Sequence, residues 1–302
     1  MRECTLIDKA FISKVGLALK VLITGAQGQL GRDLVDVFNC IKDKDNEVFS
    51  LGKDQLDITE SGKVLELIST IGPDIIINSA ANTNVDGCEL EPDSAYRVNA
   101  LGSRNVAVAS ARTGAKLVYI STDYVFDGKA QRPYTEFDAT NPMSVYGKSK
   151  LAGERYITGL HNKYFIMRTS WLYGHHGHNF VKTMLRLAKG KDELAVVDDQ
   201  VGSPTFTKDL AKFIVNLVQT ELYGIYHVTN TGSCSWYQFV TTIFKMAGLD
   251  HVKVKPISTP ELGRPAPRPA YSVLDHYCIR LECLTDLRPW EEALQEYISN
   301  QV

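Results

Sequence analysis

Hydrophobic spacing divides the chain into alternating short apolar runs and amphipathic stretches. Val21, Leu22 and Ile23 form an unbroken apolar run, as a strand covered on both faces requires. Gly25, Gly28 and Gly31 follow at spacing three, and Leu30, Leu34, Val37 and Phe38 then recur at helical spacing. The pattern predicts strand, glycine turn, helix. Glu47–Leu51 reads as a second strand, and Asp57-Ile58-Thr59 opens a second helix, capped by Thr59, with Val64, Leu65 and Ile68 on its apolar face. Residues 73–83 form a buried strand that runs into small residues, and 94–110 a long helix including Val98, Leu101, Val106 and Val108. A strand over 115–126 carries Ser121, Thr122 and Asp123 toward its end, YGKSKLAGERYI is helical, and 163–174 is a further strand.

This rhythm predicts an α/β chain with a Rossmann-like, doubly wound parallel sheet. Ligands on such sheets bind beyond the carboxyl ends of the strands. The glycine turn, Ala80-Ala81, Thr122 and Trp171 all fall there. After Trp171 the rhythm breaks into NFVKTMLRLAKG (helix), LAVVDDQVGSPT (strand and loop), FTKDLAKFIVNLVQTEL (helix), GIYHVTN (a strand that can rejoin the main sheet) and SWYQFVTTIFKMAG (helix). A proline-rich stretch over 254–271 precedes a capping helix from Pro289, with proline in its first turn. The expected organisation is an extension over 1–19, a dinucleotide-binding domain over 20–170 whose sheet residues 206–230 can rejoin, and a smaller α/β substrate domain over 171–302.

Composition narrows the classes. Of 302 residues, 44% are hydrophobic and 23% charged, ordinary values for a globular chain. A formal charge of −2 offers no basic surface for nucleic acid. No window approaches the roughly 18 consecutive apolar residues of a membrane span. Cys4, Cys40, Cys88, Cys234, Cys278 and Cys283 are scattered and form no Cys-x-x-Cys pair, which fits a reducing cytoplasm.

The chemistry lies in the turn and in Tyr146-x-x-x-Lys150. Small residues let a pyrophosphate approach the backbone, while the helix N-terminus offers unpaired N–H groups. Residues four apart share a helix face. An ammonium beside a phenol favours phenolate and lowers its pKa from about 10, making the phenol a usable proton donor to a developing alkoxide. Lys150 can also bind cofactor ribose hydroxyls, and Thr122 can hydrogen-bond the same carbonyl oxygen as Tyr146. Carbonyl reduction beside a dinucleotide is the reading these residues support.

Thr-Gly-Ala-x-Gly-x-x-Gly at 24–31, the Thr122, Tyr146 and Lys150 set, and Asn99 resemble the extended short-chain dehydrogenase/reductases, which act mostly on nucleotide sugars. More narrowly, STDYVFDG, NPMSVYGKSKLAGE, RTSWLYG, NFVKTMLRLAK, DQVGSPT and PRPAYS resemble the dTDP-4-dehydrorhamnose reductase family, from about Lys20 to the C-terminal helix. The resemblance implies reduction of the 4-keto group of dTDP-4-dehydro-L-rhamnose with NADPH or NADH. It implies that Gly28, Gln29 and Leu30 meet the pyrophosphate and Asp57 and Ile58 the adenine region. Ala80, Ala81, Asn82 and Asn99 would line the cofactor, while Thr122, Asp123 and Trp171 would meet the sugar. Tyr146 would be the proton donor and Lys150 its partner. It also implies a homodimer, and in some members a magnesium ion at the dimer contact.

Further positions refine or compete with this. An acidic residue at the end of the second strand would favour NADH. Leu51-Gly52-Lys53 stands there instead, and a lysine favours the 2′-phosphate of NADPH unless it is merely solvated. Dehydratases of the superfamily carry Asp-Glu after the threonine; here Asp123 is followed by Tyr124, which favours simple reduction and leaves epimerisation open. A silent dinucleotide-binding regulatory subunit is the rival from another class, but it has no chemical need for the Thr122, Tyr146 and Lys150 set. His175, His176 and His178 suggest chelation, yet no fourth ligand is evident and no metal is assigned. Arg268, in the proline-rich loop, is a candidate for the substrate diphosphate or a solvated cation, and Trp171 a sugar contact or plain core.

Overall fold

The computed structural model describes residues 19–40 and 46–300. The expected extension over 1–19 therefore lies, apart from Leu19, outside the described residues. Six parallel strands build the main sheet: β1 (Lys20–Thr24), β2 (Glu47–Leu51), β3 (Ile75–Asn78), β4 (Lys116–Thr122), β5 (Tyr164–Thr169) and β6 (Gly224–His227). Their order is β6-β5-β4-β3-β1-β2. The last strand returns from the C-terminal half of the chain and pairs Ile225 with Ile166 of β5.

Side-chain alternation explains why these runs are apolar at every position. Val21, Ile23, Ile75, Ile77, Val118, Phe165 and Met167 face one layer, formed by α1 (Gln29–Asn39) and the helix Thr207–Leu217. Leu22, Ile76, Leu117, Tyr119 and Ile166 face the other, formed by α2 (Ser61–Ile71), α3 (Ser103–Thr113) and α4 (Val145–Leu160). Burying each such side chain is worth about 1.5–3 kcal/mol, so both layers are needed to hold the sheet.

The C-terminal region has its own core. Tyr173, Val181, Phe206, Phe239, Trp290 and Tyr297 pack together beneath two-stranded pairs and short helices. Among the described residues, no helix is long and apolar enough to cross a membrane.

Several local expectations change. Thr59 does not cap α2: Glu60 occupies the cap position, and Thr59 instead donates from its N–H and hydroxyl to Asp57 Oδ1 at 2.9 and 2.8 Å. The long helix before β4 is interrupted, running through Pro92–Tyr96, a π-helical turn at Arg97–Gly102, and α3. The strand expected over 163–174 breaks at Trp171, whose φ of 47° lies in the left-handed region. Leu172–Tyr173 then pairs with Thr205–Phe206, away from the main sheet. Pro289 is the cap of the last helix, Trp290–Ser299, not a member of its first turn.

The sheet's connections reverse direction between β1 and β3, so the crevice above these two strands is the expected ligand position. There Gly25 has φ +65°, and a Cβ on it would lie 2.7 Å from the backbone nitrogen of Ala80. A Cβ on Gly31 would lie 2.7 Å from the Cα of Ala26. Gly31→Ala is therefore expected to lower the urea midpoint, by an amount equivalent to about 2 kcal/mol or more. Gly62→Ala, in α2 with nothing within 4 Å of its added methyl, should raise stability by about 0.5–1 kcal/mol.

Candidate active site

The glycine turn forms a cradle that side chains would fill. Gly28 donates its N–H to the carbonyl of Gly25 at 2.9 Å and stands at the N-cap of α1 with no side chain to occupy it. The first N–H groups of α1 thus point toward the crevice, the chemistry a pyrophosphate needs. The residues fit a dinucleotide, though two of the expected contacts are buried. Leu30 is 5% exposed, in the core under α1, and Ile58 is 3% exposed, against α2 and α3. Their backbones, not their side chains, are what a cofactor can meet. Gln29 is tied to the C-terminal region, its Oε1 accepting from Asn179 Nδ2 at 3.0 Å.

At the end of β2, Gly52 lies under the side chain of Gln27, and Lys53 stands in solvent with Nζ 4.0 Å from Asp57 Oδ2. The two bonds from Thr59 hold the Asp57 carboxyl below its usual range. Ala80, Ala81 and Asn82 follow β3 and are half-buried. Asn82 exchanges two hydrogen bonds with Asn99, N–H to Oδ1 at 2.8 Å and Nδ2–H to carbonyl at 3.0 Å. Asn99 sits in the π-helical turn, a feature often found at functional sites. Its Nδ2 also donates to Ser149 Oγ at 3.0 Å, and Ser149 Oγ donates to the carbonyl of Tyr146 at 2.8 Å.

Tyr146 and Lys150 lie on α4, whose start is fixed by buried Ser144, with Oγ accepting from the N–H of Gly147 at 3.1 Å. The phenol of Tyr146 lies beside Thr122 at the end of β4. Thr122 donates to Asp123 Oδ1 at 3.0 Å. Tyr124 packs edge-on against Tyr146, centroids 5.5 Å apart. Lys150 is 2% exposed, with Nζ 4.1 Å above the ring of Tyr119. The Tyr119 hydroxyl donates to the carbonyls of Asn99 and Lys150, each at 3.2 Å.

The electrostatics reverse one expectation. Burial pushes the Tyr146 phenol above its ordinary value, Asp123 adds to the rise, and the neighbouring Thr122 only partly opposes it. Burial also drives Lys150 down to about 7, with Glu154 acting the other way. Tyr146 is thus held protonated, as a proton donor must be before it acts. Tyr124 is likewise pushed up by burial and is no base at neutral pH. Asp123 is buried, pushed up to about 6 by desolvation, and its Oδ2 has no hydrogen-bond partner.

Other candidates find different partners. The fork of Arg268, a candidate for a diphosphate, is taken by Asp86 at 3.0 and 3.2 Å. Asp86 belongs to the short helix Val85–Leu90, from which Glu89 Oε2 also accepts the N–H of Val145 at the start of α4, at 2.9 Å. The strained Trp171 stacks on Trp236 at 3.5 Å and 9°, with Phe180 4.3 Å from Trp236, making a half-exposed aromatic platform. Sequence spacing could not pair Trp171 with Trp236, which is 65 positions away in the chain. His176 is the histidine of its cluster that finds metal-ligating company: with Asp33 and Asp36 it presents ligand atoms all within 4.8 Å of one another. His175 instead stacks on Tyr297 at 4.9 Å.

Glu154 was missed, although its spacing of four from Lys150 could have marked it. It is buried and paired with Arg168 at 2.8 Å.

Because the folded state resists charging Lys150, the unfolded chain holds that proton more tightly between about pH 7 and 10.5. Stability should rise with pH through that window. Lys150→Met is expected to be more stable than the parent by on the order of 2 kcal/mol at or below pH 7. The advantage should shrink to nothing near pH 10.5, as read from urea midpoints against pH.

Comparison with known proteins agrees with this geometry. The family described as RmlD substrate binding domain matches residues 19–302. The chain is 48% identical over 282 residues to the spore coat polysaccharide biosynthesis protein SpsK of Bacillus subtilis, covering 93% of this chain and 98% of that protein. It is 42% identical to the dTDP-4-dehydrorhamnose reductase of Aggregatibacter actinomycetemcomitans, covering 91% of this chain and 97% of the relative. The crystal structure of dTDP-4-dehydrorhamnose reductase from Bacillus anthracis in complex with NADP superposes with a TM-score of 0.90 at 50% identity, covering 94% of this chain and 100% of that one. The chain belongs to the RmlD family of NAD(P)-dependent nucleotide-sugar reductases.

Proposed function

We propose that this protein reduces the 4-keto group of dTDP-4-dehydro-L-rhamnose to give dTDP-L-rhamnose, with NADPH preferred over NADH. The observation that carries the reading is the grouping of Thr122 and Tyr146 with Lys150 one helical turn on, at the edge of the sheet where the glycine turn also opens. NADPH held over the glycine turn would, when bound, supply the hydride for the keto carbon, and Thr122 and Tyr146 hold the keto oxygen. As the carbonyl π pair moves onto oxygen, the Tyr146 hydroxyl gives up its proton to it, and the phenolate recovers a proton from solvent. Lys150 steadies that phenolate and binds the ribose hydroxyls.

Asp123 and the platform of Trp171 and Trp236 would meet the sugar, while Arg268 would meet the diphosphate after leaving Asp86. Ala80, Ala81, Asn82 and Asn99 would line the cofactor, with Gly25, Gly28, Gln29, Leu30 and Gly31 around the pyrophosphate and Asp57 and Ile58 near the adenine. Lys53 supports the NADPH preference, since its exposed ammonium can meet a 2′-phosphate. The spore coat relative supports a surface polysaccharide as the destination of the product.

Purified protein should consume NADPH only when dTDP-4-dehydro-L-rhamnose is present. Consumption with other nucleotide keto-sugars but not with this one would replace the substrate assignment. Tyr146→Phe should cut turnover by about 10²-fold or more while leaving NADPH binding nearly intact. Lys53→Ala should weaken NADPH more than NADH, and equal loss of both would remove the preference.

A further inference from the structure

Tyr146 is the second residue of α4, so its aim depends on how the start of that helix is held. The first four N–H groups of a helix have no partner within it and must find one elsewhere. Here side chains hold two of them. Ser144 Oγ accepts the N–H of Gly147 at 3.1 Å, a local cap. The N–H of Val145 is held from 56 positions away in the chain, where Glu89 Oε2 accepts it at 2.9 Å.

Glu89 is half-buried near the end of the short helix Val85–Leu90, and that helix is itself pinned. Asn84 Oδ1 accepts the N–H of Gly87 at 3.0 Å, and Asn82 Oδ1 accepts the N–H of Asn84 at 3.2 Å. The Cys88 thiol donates to the carbonyl of Asn82 at 3.7 Å. Asn82 is bonded in turn to Asn99, Asn99 to Ser149, and Ser149 to the carbonyl of Tyr146. These bonds close a ring. It leaves the short helix through Glu89, enters α4 at the residue before Tyr146, and returns from the carbonyl of Tyr146 through Ser149, Asn99 and Asn82. Tyr146 is thereby fixed on both sides of its own backbone. A Cβ on Gly147 would collide with the carbonyl of Tyr124, so α4 also lies hard against the residue whose ring packs on Tyr146.

We propose that Glu89 is a positioning residue for the reduction, its Oε2 fixing the first turn of α4 so that the Tyr146 hydroxyl meets the keto oxygen beside Thr122. It acts as an acceptor at a set reach, not as a charge. This rests on the reading that Tyr146 gives its proton to that oxygen. Misplacing a reacting group by about 1 Å can cost on the order of 10²-fold in rate, so a contact remote from the sugar can govern turnover. The competing role is electrostatic, since any carboxylate in the first turn of a helix is favoured by the helix dipole.

Two variants separate these roles. Glu89→Gln keeps the acceptor and its reach but removes the charge. Glu89→Asp keeps the charge and withdraws it by one methylene. Glu89→Gln should hold kcat within about twofold of the parent, while Glu89→Asp should lower it by about tenfold, both with NADPH affinity unchanged. Parental turnover in Glu89→Asp, an equal loss in Glu89→Gln, or a loss of NADPH affinity alongside kcat would overturn the proposal. In the Tyr146→Phe background the Glu89→Asp loss should vanish, because no proton donor is left to misplace; persistence of the loss there counts against it equally. Amide hydrogen exchange over residues 144–149 should quicken in Glu89→Asp and not in Glu89→Gln, and unaltered exchange in Glu89→Asp would show that no clamp exists. The exchange readout needs no turnover, so it stands apart from the reduction reading, which falls instead if Tyr146→Phe keeps full turnover.

Discussion

The backbone of Gly25 lies against that of Ala80, and everything at the carboxyl edge of the sheet is arranged around that approach. The two residues end neighbouring strands whose onward connections run in opposite directions, so the chain parts above them. A side chain at Gly25 would push β1 and β3 apart and fill the parting. The crevice follows from the sheet order, but its use follows from the absence of a Cβ at three points in the turn. The helix that leaves this turn brings unpaired N–H groups to the same place, which is why an anionic cofactor suits it.

Around this edge the protein holds ionisable groups out of water and uses their mutual placement to set their states. Tyr146 keeps its proton because burial and Asp123 disfavour phenolate. Lys150 is pressed toward neutrality by the same burial and held back by Glu154. Arg168 and Ser121 fix Glu154 in turn. Burial therefore favours the protonated phenol and opposes the charged ammonium.

The sheet was legible because its strands are short, apolar at every position and separated by amphipathic helices, a pattern with one common solution. Thr122, Tyr146 and Lys150 were legible because a strand end and an i,i+4 pair are local features. What escaped the sequence depends on tertiary contact or on subtle backbone change. The extra residue in the π-helical turn at Arg97–Gly102 leaves the apolar spacing helical, so one continuous helix was expected there. Leu30 and Ile58 have neighbours that face the crevice, but their own side chains turn inward. The direction of the Tyr146 shift was misjudged because proximity in sequence to Lys150 says nothing of the burial that outweighs it. The group of Asp33, Asp36 and His176 joins residues about 140 positions apart, beyond any motif.

The helix Val85–Leu90 has only six residues, yet three working parts of the molecule are fastened to it. It continues directly from the segment that follows β3. Through Glu89 it grips the first N–H of the helix bearing Tyr146, and through Asp86 it grips the loop bearing Arg268. It behaves as a yoke: the segment after β3, the helix bearing Tyr146 and the loop bearing Arg268 share one short beam, and none can shift far unless the others follow or a fastening is released.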